Sequence, residues 1–326
     1  MSSRDVAEAA GVSRTTVSFV LNDRPNVSIP ESTRQRIWDA ANRLGYTPSP
    51  EARALKLGRS QIVLCLLPDW PITGPVGVFL GQLSAELSAT GLTLLAHQRS
   101  PGEDLAKALA AVTPAAILSI CDLDASEVEL TERRGIPLRA WMANVPGHPD
   151  DASLRQVDVG AAQVTALAEL GHARVAYLLP ADPQLDWFSI PRLQGAQEAG
   201  GRLGVDVREH RHSEESSTLP SWLKAGVSEG VTAIATYNDE VAFSVLMAAQ
   251  QVGLTVPDDL GIIGVDDSFI SRTSRPTLST VSFNPGFEAR RIALLIADPQ
   301  LTETKPVDTS TVASVILRDS TAPPGP

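Results

Sequence analysis

From Gln61 to Leu317 the chain alternates short apolar runs with longer stretches whose apolar residues recur every three or four positions. This alternation is the strongest constraint on the fold, because strands alternating with helices build α/β layers around mainly parallel sheets. Strands are expected at Ile62–Leu67, Leu92–Ala96, Ala115–Ile120, Leu138–Trp141, Val175–Leu179, Ala233–Thr236, Leu260–Val265 and Thr311–Leu317. Helices are expected at Val78–Ala89, Leu105–Ala111, Glu127–Arg133, Gly160–Leu170, Arg192–Leu203, Glu240–Gln251 and Phe287–Ile296. So many units suit two lobes better than one sheet. The Pro-rich tail after Asp319 is expected to fray.

The first 45 residues follow a different pattern. Ser2 or Ser3 can cap a helix from Arg4 to Ala10, and Gly11 breaks it because glycine tolerates the dihedrals of a tight turn. Ser13 caps the next, Arg14–Leu21, whose Val17, Val20 and Leu21 have i, i+3, i+4 spacing. A third helix starts after Pro30 and runs through Ile37, Ala40, Ala41 and Leu44 to Gly45. Helix, short glycine turn, helix is the spacing of a helix-turn-helix unit. The second helix of such a unit lies in the major groove and presents its N-terminal side chains to base edges. Arg14, Thr15 and Phe19 are the candidate base readers: a guanidinium for guanine, a hydroxyl for either edge, an aromatic ring for a thymine methyl. Ser13, Thr16, Ser18 and Asn22 suit backbone phosphates, which short hydroxyl and amide groups reach without reading sequence.

Charge sharpens this division. The formal net charge of −11 argues against nucleic acid if read as one number. Residues 1–60, however, carry nine Lys/Arg and six Asp/Glu, a net of +3, which leaves 18 basic and 32 acidic residues, or −14, for the rest. A basic end on an acidic protein points to a nucleic-acid reader attached to something else. Two cysteines, Cys65 and Cys121, make no disulfide framework and suit buried thiols in a reducing compartment. No apolar stretch approaches the roughly 18–20 residues that span a bilayer, and the N-terminus lacks the apolar core of a signal peptide. A cytoplasmic protein without membrane contact is expected.

The residues carry a resemblance. Asp5-Val-Ala-Glu-Ala-Ala-Gly-Val-Ser13-Arg-Thr-Thr-Val-Ser-Phe-Val-Leu-Asn22, Thr33-Arg-Gln-Arg-Ile and Leu44-Gly-Tyr-Thr-Pro48 resemble the headpiece of lactose/galactose-repressor (LacI/GalR) family regulators. The likeness continues through Ala52-Arg53-Ala54-Leu55-Lys56, Val157-Asp158, Leu170-Gly171-His172, Arg192-Leu-Gln-Gly195, Asn238-Asp239, Gly264-Val-Asp266-Asp267 and Pro276-Thr-Leu-Ser-Thr280. It implies a small all-α helix-turn-helix domain at 1–45, a hinge linker helix at 46–60 and a two-lobed periplasmic-binding-protein-like α/β core at 61–320. The N-lobe is expected at about 61–170 and 286–304, the C-lobe at about 171–284 and 311–320, and a tail at 321–326.

The resemblance further implies a homodimeric transcription regulator, most simply a repressor, that binds near-palindromic operator DNA. Leu55 would wedge into the minor groove at the operator's centre, flanked by Ala52, Arg53 and Lys56. An apolar wedge that kinks DNA needs such small and basic neighbours. Two residues depart from the family's pattern: Glu51 puts a negative charge near the DNA where a neutral residue is usual, and Ser3 replaces a common apolar contact residue. Arg192, Asn238 and Asp266 match family positions that grip an effector's hydroxyls, and Asp158 a further acid near the cleft. Asp69, Trp70 and Phe79, after the first strand, are the N-lobe candidates, with Trp141 and Trp187 as alternative stacking surfaces. A guanidinium, an amide and a carboxylate suit a small polar effector such as a sugar. A nucleobase or a protein co-regulator is the alternative within the same role, and a transporter's solute-binding protein the alternative outside it. No nucleotide fingerprint, nucleophile signature or metal-ligand spacing is found, so neither an enzyme nor a cofactor is expected.

Overall fold

The computed structural model describes residues 1–21, 28–46, 60–69, 72, 74–100, 102–148, 155–212, 218–298, 301 and 313–325. The chain divides into two compact units, Met1–Ile62 with Leu109–Ala115, and Val63–Ala108 with Ala116–Pro326.

In the first unit, helices α1 (Ser3–Ala10), α2 (Arg14–Leu21) and α3 (Glu31–Leu44) enclose a small core of Val6, Ala10, Val17, Val20, Leu21, Ile37 and Ala40. Local chemistry sets each boundary. The Asp5 carboxylate accepts the Ser2 N–H at 2.7 Å at the start of α1, which fixes the entry into the first turn. Gly11 takes φ of +65° and ends α1, while the Ser13 hydroxyl accepts the Thr16 N–H at 3.1 Å and opens α2.

The second unit holds two sheets. A four-stranded sheet has the order β2-β1-β3-β4, from β1 (Ile62–Leu67), β2 (Thr93–Gln98), β3 (Ala116–Ser119) and β4 (Leu138–Ala140). Helices α4 (Gly74–Ala89), α5 (Leu105–Ala111) and α6 (Ala125–Arg133) connect its strands. A six-stranded sheet has the order β10-β9-β8-β7-β5-β6. Its strands are β5 (Arg174–Pro180), β6 (Asp206–His212), β7 (Ala233–Thr236), β8 (Gly261–Val265), β9 (Ser279–Phe283) and β10 (Ala313–Ile316), parallel except for the antiparallel β9–β10 pair.

Helices α7 (Gln156–Glu169) and α8 (Asp186–Leu203) pack on one face of this sheet, where Val164, Leu167, Leu193 and Ala196 meet Val175, Tyr177, Ala235 and Ile263. Helices α9 (Leu219–Ser228) and α10 (Asp239–Gln251) cover Ala176, Leu178, Ile234 and Ile262 on the other. Parallel strands buried on both faces are apolar throughout, as Val175–Leu179 shows. The short α11 (Phe269–Thr273) follows β8, and α12 (Pro285–Ala297) returns to pack on α4.

Several expectations change. Strands β6 and β9 and helix α9 were not anticipated. β6 is an edge strand, so its polar sequence needs only one neighbour, and the buried Ser279 and Thr280 of β9 find hydrogen-bond partners far along the chain. Helix α8 starts at Asp186, before Pro191, rather than after it. Helix α7 lies on the six-stranded sheet, so the lobe boundary expected near 170 falls before Gln156. The tail is tied down rather than frayed: buried Ser320 exchanges hydrogen bonds with Ile262, and His172 Nε2 lies 3.0 Å from the Ala322 carbonyl.

Helices α7 and α8 touch backbone to backbone. A Cβ on Gly160 would lie 1.7 Å from the Arg192 carbonyl oxygen, and one on Gly195 1.8 Å from that of Val157. Nothing lies within 4 Å of a Cβ placed on Gly201 of the same helix. Gly160→Ala is therefore expected to destabilise the fold by about 3 kcal/mol or more through overpacking. Gly201→Ala should stabilise it by about 0.5–1 kcal/mol through helix propensity. Urea denaturation of the two variants checks both signs, and equal midpoints would contradict the close crossing.

Candidate functional site

On α2, Val17, Val20 and Leu21 anchor the helix to the core while Arg14 and Thr15 are exposed in its first turn. At 100° per residue, Arg14, Thr15, Ser18 and Phe19 share one arc away from Val17 and Val20, and Ser18 and Phe19 are half-buried. The structure thus brings the three candidate base readers onto one surface. Thr16 lies off that arc, and its hydroxyl is 2.9 Å from that of Ser13, so this pair serves the helix cap. Asn22 and the hinge candidates Ala52, Arg53, Leu55 and Lys56 lie outside the described residues.

A second cluster forms beyond the C-terminal ends of β7 and β8, where open α/β sheets bind ligands. Arg192, in the second turn of α8, is buried, and the Gly160–Gly195 crossing presses its backbone against α7. It donates from Nε to Gln156 Oε1 at 2.7 Å and from Nη1 to the Tyr237 carbonyl at 2.5 Å. Its guanidinium carbon lies 4.9 Å from the Tyr237 ring centroid and 5.9 Å from that of Phe188, within cation–π range. Asn238 caps α10 by accepting the Val241 N–H at 2.9 Å.

Asp266 leaves β8 with φ of +109° and is followed by Asp267 at +49°. Two consecutive left-handed aspartates are strained and persist only because neighbours hold them. Asp239 is the brace: its carboxylate accepts the Ser268 N–H at 2.7 Å and the Thr280 hydroxyl at 2.8 Å. Burial pushes the Asp239 carboxyl above its ordinary value against these hydrogen bonds. The paired aspartates diverge, because Asp267 is held by Arg318 and Arg272. Asp266 Oδ1 is buried without a hydrogen-bond partner. Burial pushes the Asp266 carboxyl up to about 8, opposed by Arg192 and reinforced by the charges of Asp239 and Glu240. Arg192, Asn238 and Asp266 thus gather at one end of one sheet, around a donor-rich cation and a buried acceptor.

The other candidates lie apart. Asp158 forms an ion pair with Arg155 at 3.0 Å, and it is Gln156, unforeseen in the sequence, that reaches Arg192 from α7. Phe79 is buried against Trp141, with ring centroids 4.1 Å apart and planes 9° apart, so it is a packing residue here rather than an open stacking face. Asp69 lines an open N-lobe pocket of about 800 Å³ with Arg99, Cys121, Asp122 and Asp124, and that lining includes no residue of the Arg192 cluster. Trp70 lies outside the described residues. Tyr237 and Phe188 were also missed. Tyr237 stands beside Asn238, which was the available signal, whereas the type and spacing of Gln156 gave none.

Residues 3–49 match the family described as bacterial regulatory proteins, lacI family, and residues 164–321 the periplasmic binding protein-like domain. The HTH-type transcriptional regulator DegA of Bacillus subtilis (strain 168) is 28% identical over 297 residues, 85% of each chain. The lac repressor dimer bound to operator and the anti-inducer ONPF has the same fold, with a TM-score of 0.75 at 20% identity over 99% of each chain. The complex of the transcriptional regulator CelR with cellobiose gives a TM-score of 0.62 at 24% identity, over 98% of this chain and 99% of that one. A helix-turn-helix domain ahead of a two-lobed, periplasmic-binding-protein-like core is the architecture of an HTH-type transcription regulator. The chain belongs to the LacI family of bacterial transcription regulators, which bind DNA and are not enzymes. Among the described residues no helix is long and apolar enough to cross a membrane, and no group of His, Cys, Asp and Glu could hold a metal ion.

The Asp266 environment makes a prediction. A carboxyl raised to about 8 in the folded state and near its ordinary value when unfolded favours folding while protonated. Its contribution is complete below about pH 4 and is lost as pH rises through about 8. Asp266→Asn keeps the shape without the charge, so its melting temperature should exceed the wild type's by a margin that grows from pH 5 to pH 8. Parallel pH profiles of thermal melting would contradict this.

Proposed function

We propose that this protein is a repressor that binds near-palindromic operator DNA as a homodimer through residues 1–60. A small polar effector, most simply a sugar, controls it from the Arg192–Asn238–Asp266 cluster. The observation that carries the DNA half is the exposed Arg14–Thr15 turn on a helix whose opposite side is buried. Arg14 reads a guanine edge in the major groove, Thr15 and Phe19 contact neighbouring bases, and the hinge around Leu55 enters the minor groove between half-sites. The dimer is supported by α4 and α12, which pack together and leave Val78, Phe287 and Leu294 exposed. Exposed apolar surface of this kind marks an interaction site.

For the effector, Arg192 supplies donors, Asp266 a buried acceptor, and Tyr237 and Phe188 apolar ring faces, which together suit the hydroxyls and faces of a sugar ring. The cellobiose complex of the CelR regulator supports the same ligand class. The acidic remainder of the chain repels DNA, so affinity rests on few phosphate contacts and falls with salt.

Binding of the full chain to a duplex selected from a random pool tests the DNA reading. Arg14→Ala should relax preference at one position of each half-site, costing about 1–3 kcal/mol there, with little loss on random DNA. Equal weakening on selected and random duplexes would show that Arg14 only holds phosphate.

A further inference from the structure

Where the chain leaves β4, Met142 has φ of +57°, a left-handed conformation that a long side chain adopts only when its surroundings hold it. On one side stands Trp141, which stacks on Phe79 of α4 and donates its indole N–H to Glu288 of α12 at 2.9 Å. Glu288 in turn pairs with Arg291 at 3.1 Å, and both are nearly buried. On the other side, Met142 Sδ lies 4.0 Å from the amide nitrogen of Gln156, the first residue of α7. The amide oxygen of the same Gln156 accepts the Arg192 Nε–H at 2.7 Å. One side chain, acceptor at one atom and donor at the other, therefore touches both the guanidinium of the C-lobe cluster and the strained residue beside the N-lobe.

We propose that Gln156 is a positioning residue for Arg192 and couples the setting of its guanidinium, through Met142 and Trp141, to Glu288 on α12. The proposal rests on the reading of Arg192 as an effector contact. A ligand that draws Arg192 toward itself weakens its bond to Gln156, and the freed amide changes its hold on Met142. Trp141 is one residue further on, and Glu288 one hydrogen bond beyond that. The reverse path exists as well, because movement of α12 pulls on Trp141 and reaches Arg192 through the same amide. Such a network carries coupling where an element has two arrangements, and the Gln156 amide supplies them: it either bridges Arg192 and Met142 or releases one of them. A glutamine that merely filled space would be replaceable by a side chain of similar size, whereas this one needs both ends of its amide.

The test uses the full chain labelled with 5-fluorotryptophan, the Trp141 resonance being assigned by its disappearance in Trp141→Phe. Arg192→Lys is expected to shift that resonance by more than its line width. The same substitution should leave it unmoved in the Gln156→Leu and Gln156→Glu backgrounds. Gln156→Glu keeps an acceptor for Arg192 and loses only the donor to Met142, so it serves alone if the leucine variant does not fold. A shift that persists in either background, or no shift in the wild-type background, overturns the proposal. No ligand is needed, so this failure is distinct from failure of the effector reading, which ligand-dependent DNA binding decides.

Discussion

The close crossing of α7 over α8 is the constraint on which the ligand-binding half of this protein depends. Gly160 and Gly195 let two backbones approach to a distance at which any Cβ would collide with a carbonyl. That approach puts Gln156 within hydrogen-bond reach of Arg192 and sets the guanidinium at the end of the six-stranded sheet. One layer down, Gln163 of α7 donates to the carbonyls of Thr236, Ile263 and Gly264, and accepts the Tyr177 hydroxyl. A buried amide so fully used fixes α7 against the strand ends rather than merely resting on them. The strained Asp266–Asp267 turn begins just past those ends, and Asp239 braces it from the far side. A larger residue at 160 or 195 would move the whole arrangement.

The N-terminal unit works by a different economy of parts. Its core is small and largely alanine and valine, so the three helices depend on caps and the Gly11 turn as much as on burial. The arrangement keeps α2 short and tightly seated and leaves its first turn to solvent. Net positive charge in residues 1–60 and net negative charge in the remainder divide the chain in the same place. That charge division favours DNA at the N-terminal unit and disfavours it elsewhere, as the proposed function requires.

Much of this was legible because the physical signal was local. β5 is apolar at nearly every position since both faces are covered, and α2 has one buried stripe. The three residues at the heart of the C-lobe cluster were found through ordered motifs. What escaped depended on partners distant in sequence. β9 carries serine and threonine into the core because Asp239, Arg318 and Ser320 satisfy them. The tail looked composed for disorder, yet Ser320 acts as one more pairing partner for β8. Asp158 drew attention as a carboxylate, but on a helix it sits about 200° from Gln156, and only the crossing angle decides which of them faces Arg192. Phe79 kept the periodicity of a buried face, and its stacking on Trp141 shows that the pattern marked packing rather than a ligand.

The central claim is that DNA affinity and ligand affinity are linked through the core. It is tested most directly by the anisotropy of a labelled, selected duplex titrated with the chain, with and without a saturating sugar that calorimetry shows to bind. The account predicts that the sugar changes the DNA dissociation constant by roughly 5–150-fold, and that DNA changes the sugar's by the same factor. A sugar that binds the core and leaves the DNA dissociation constant unaltered would contradict it.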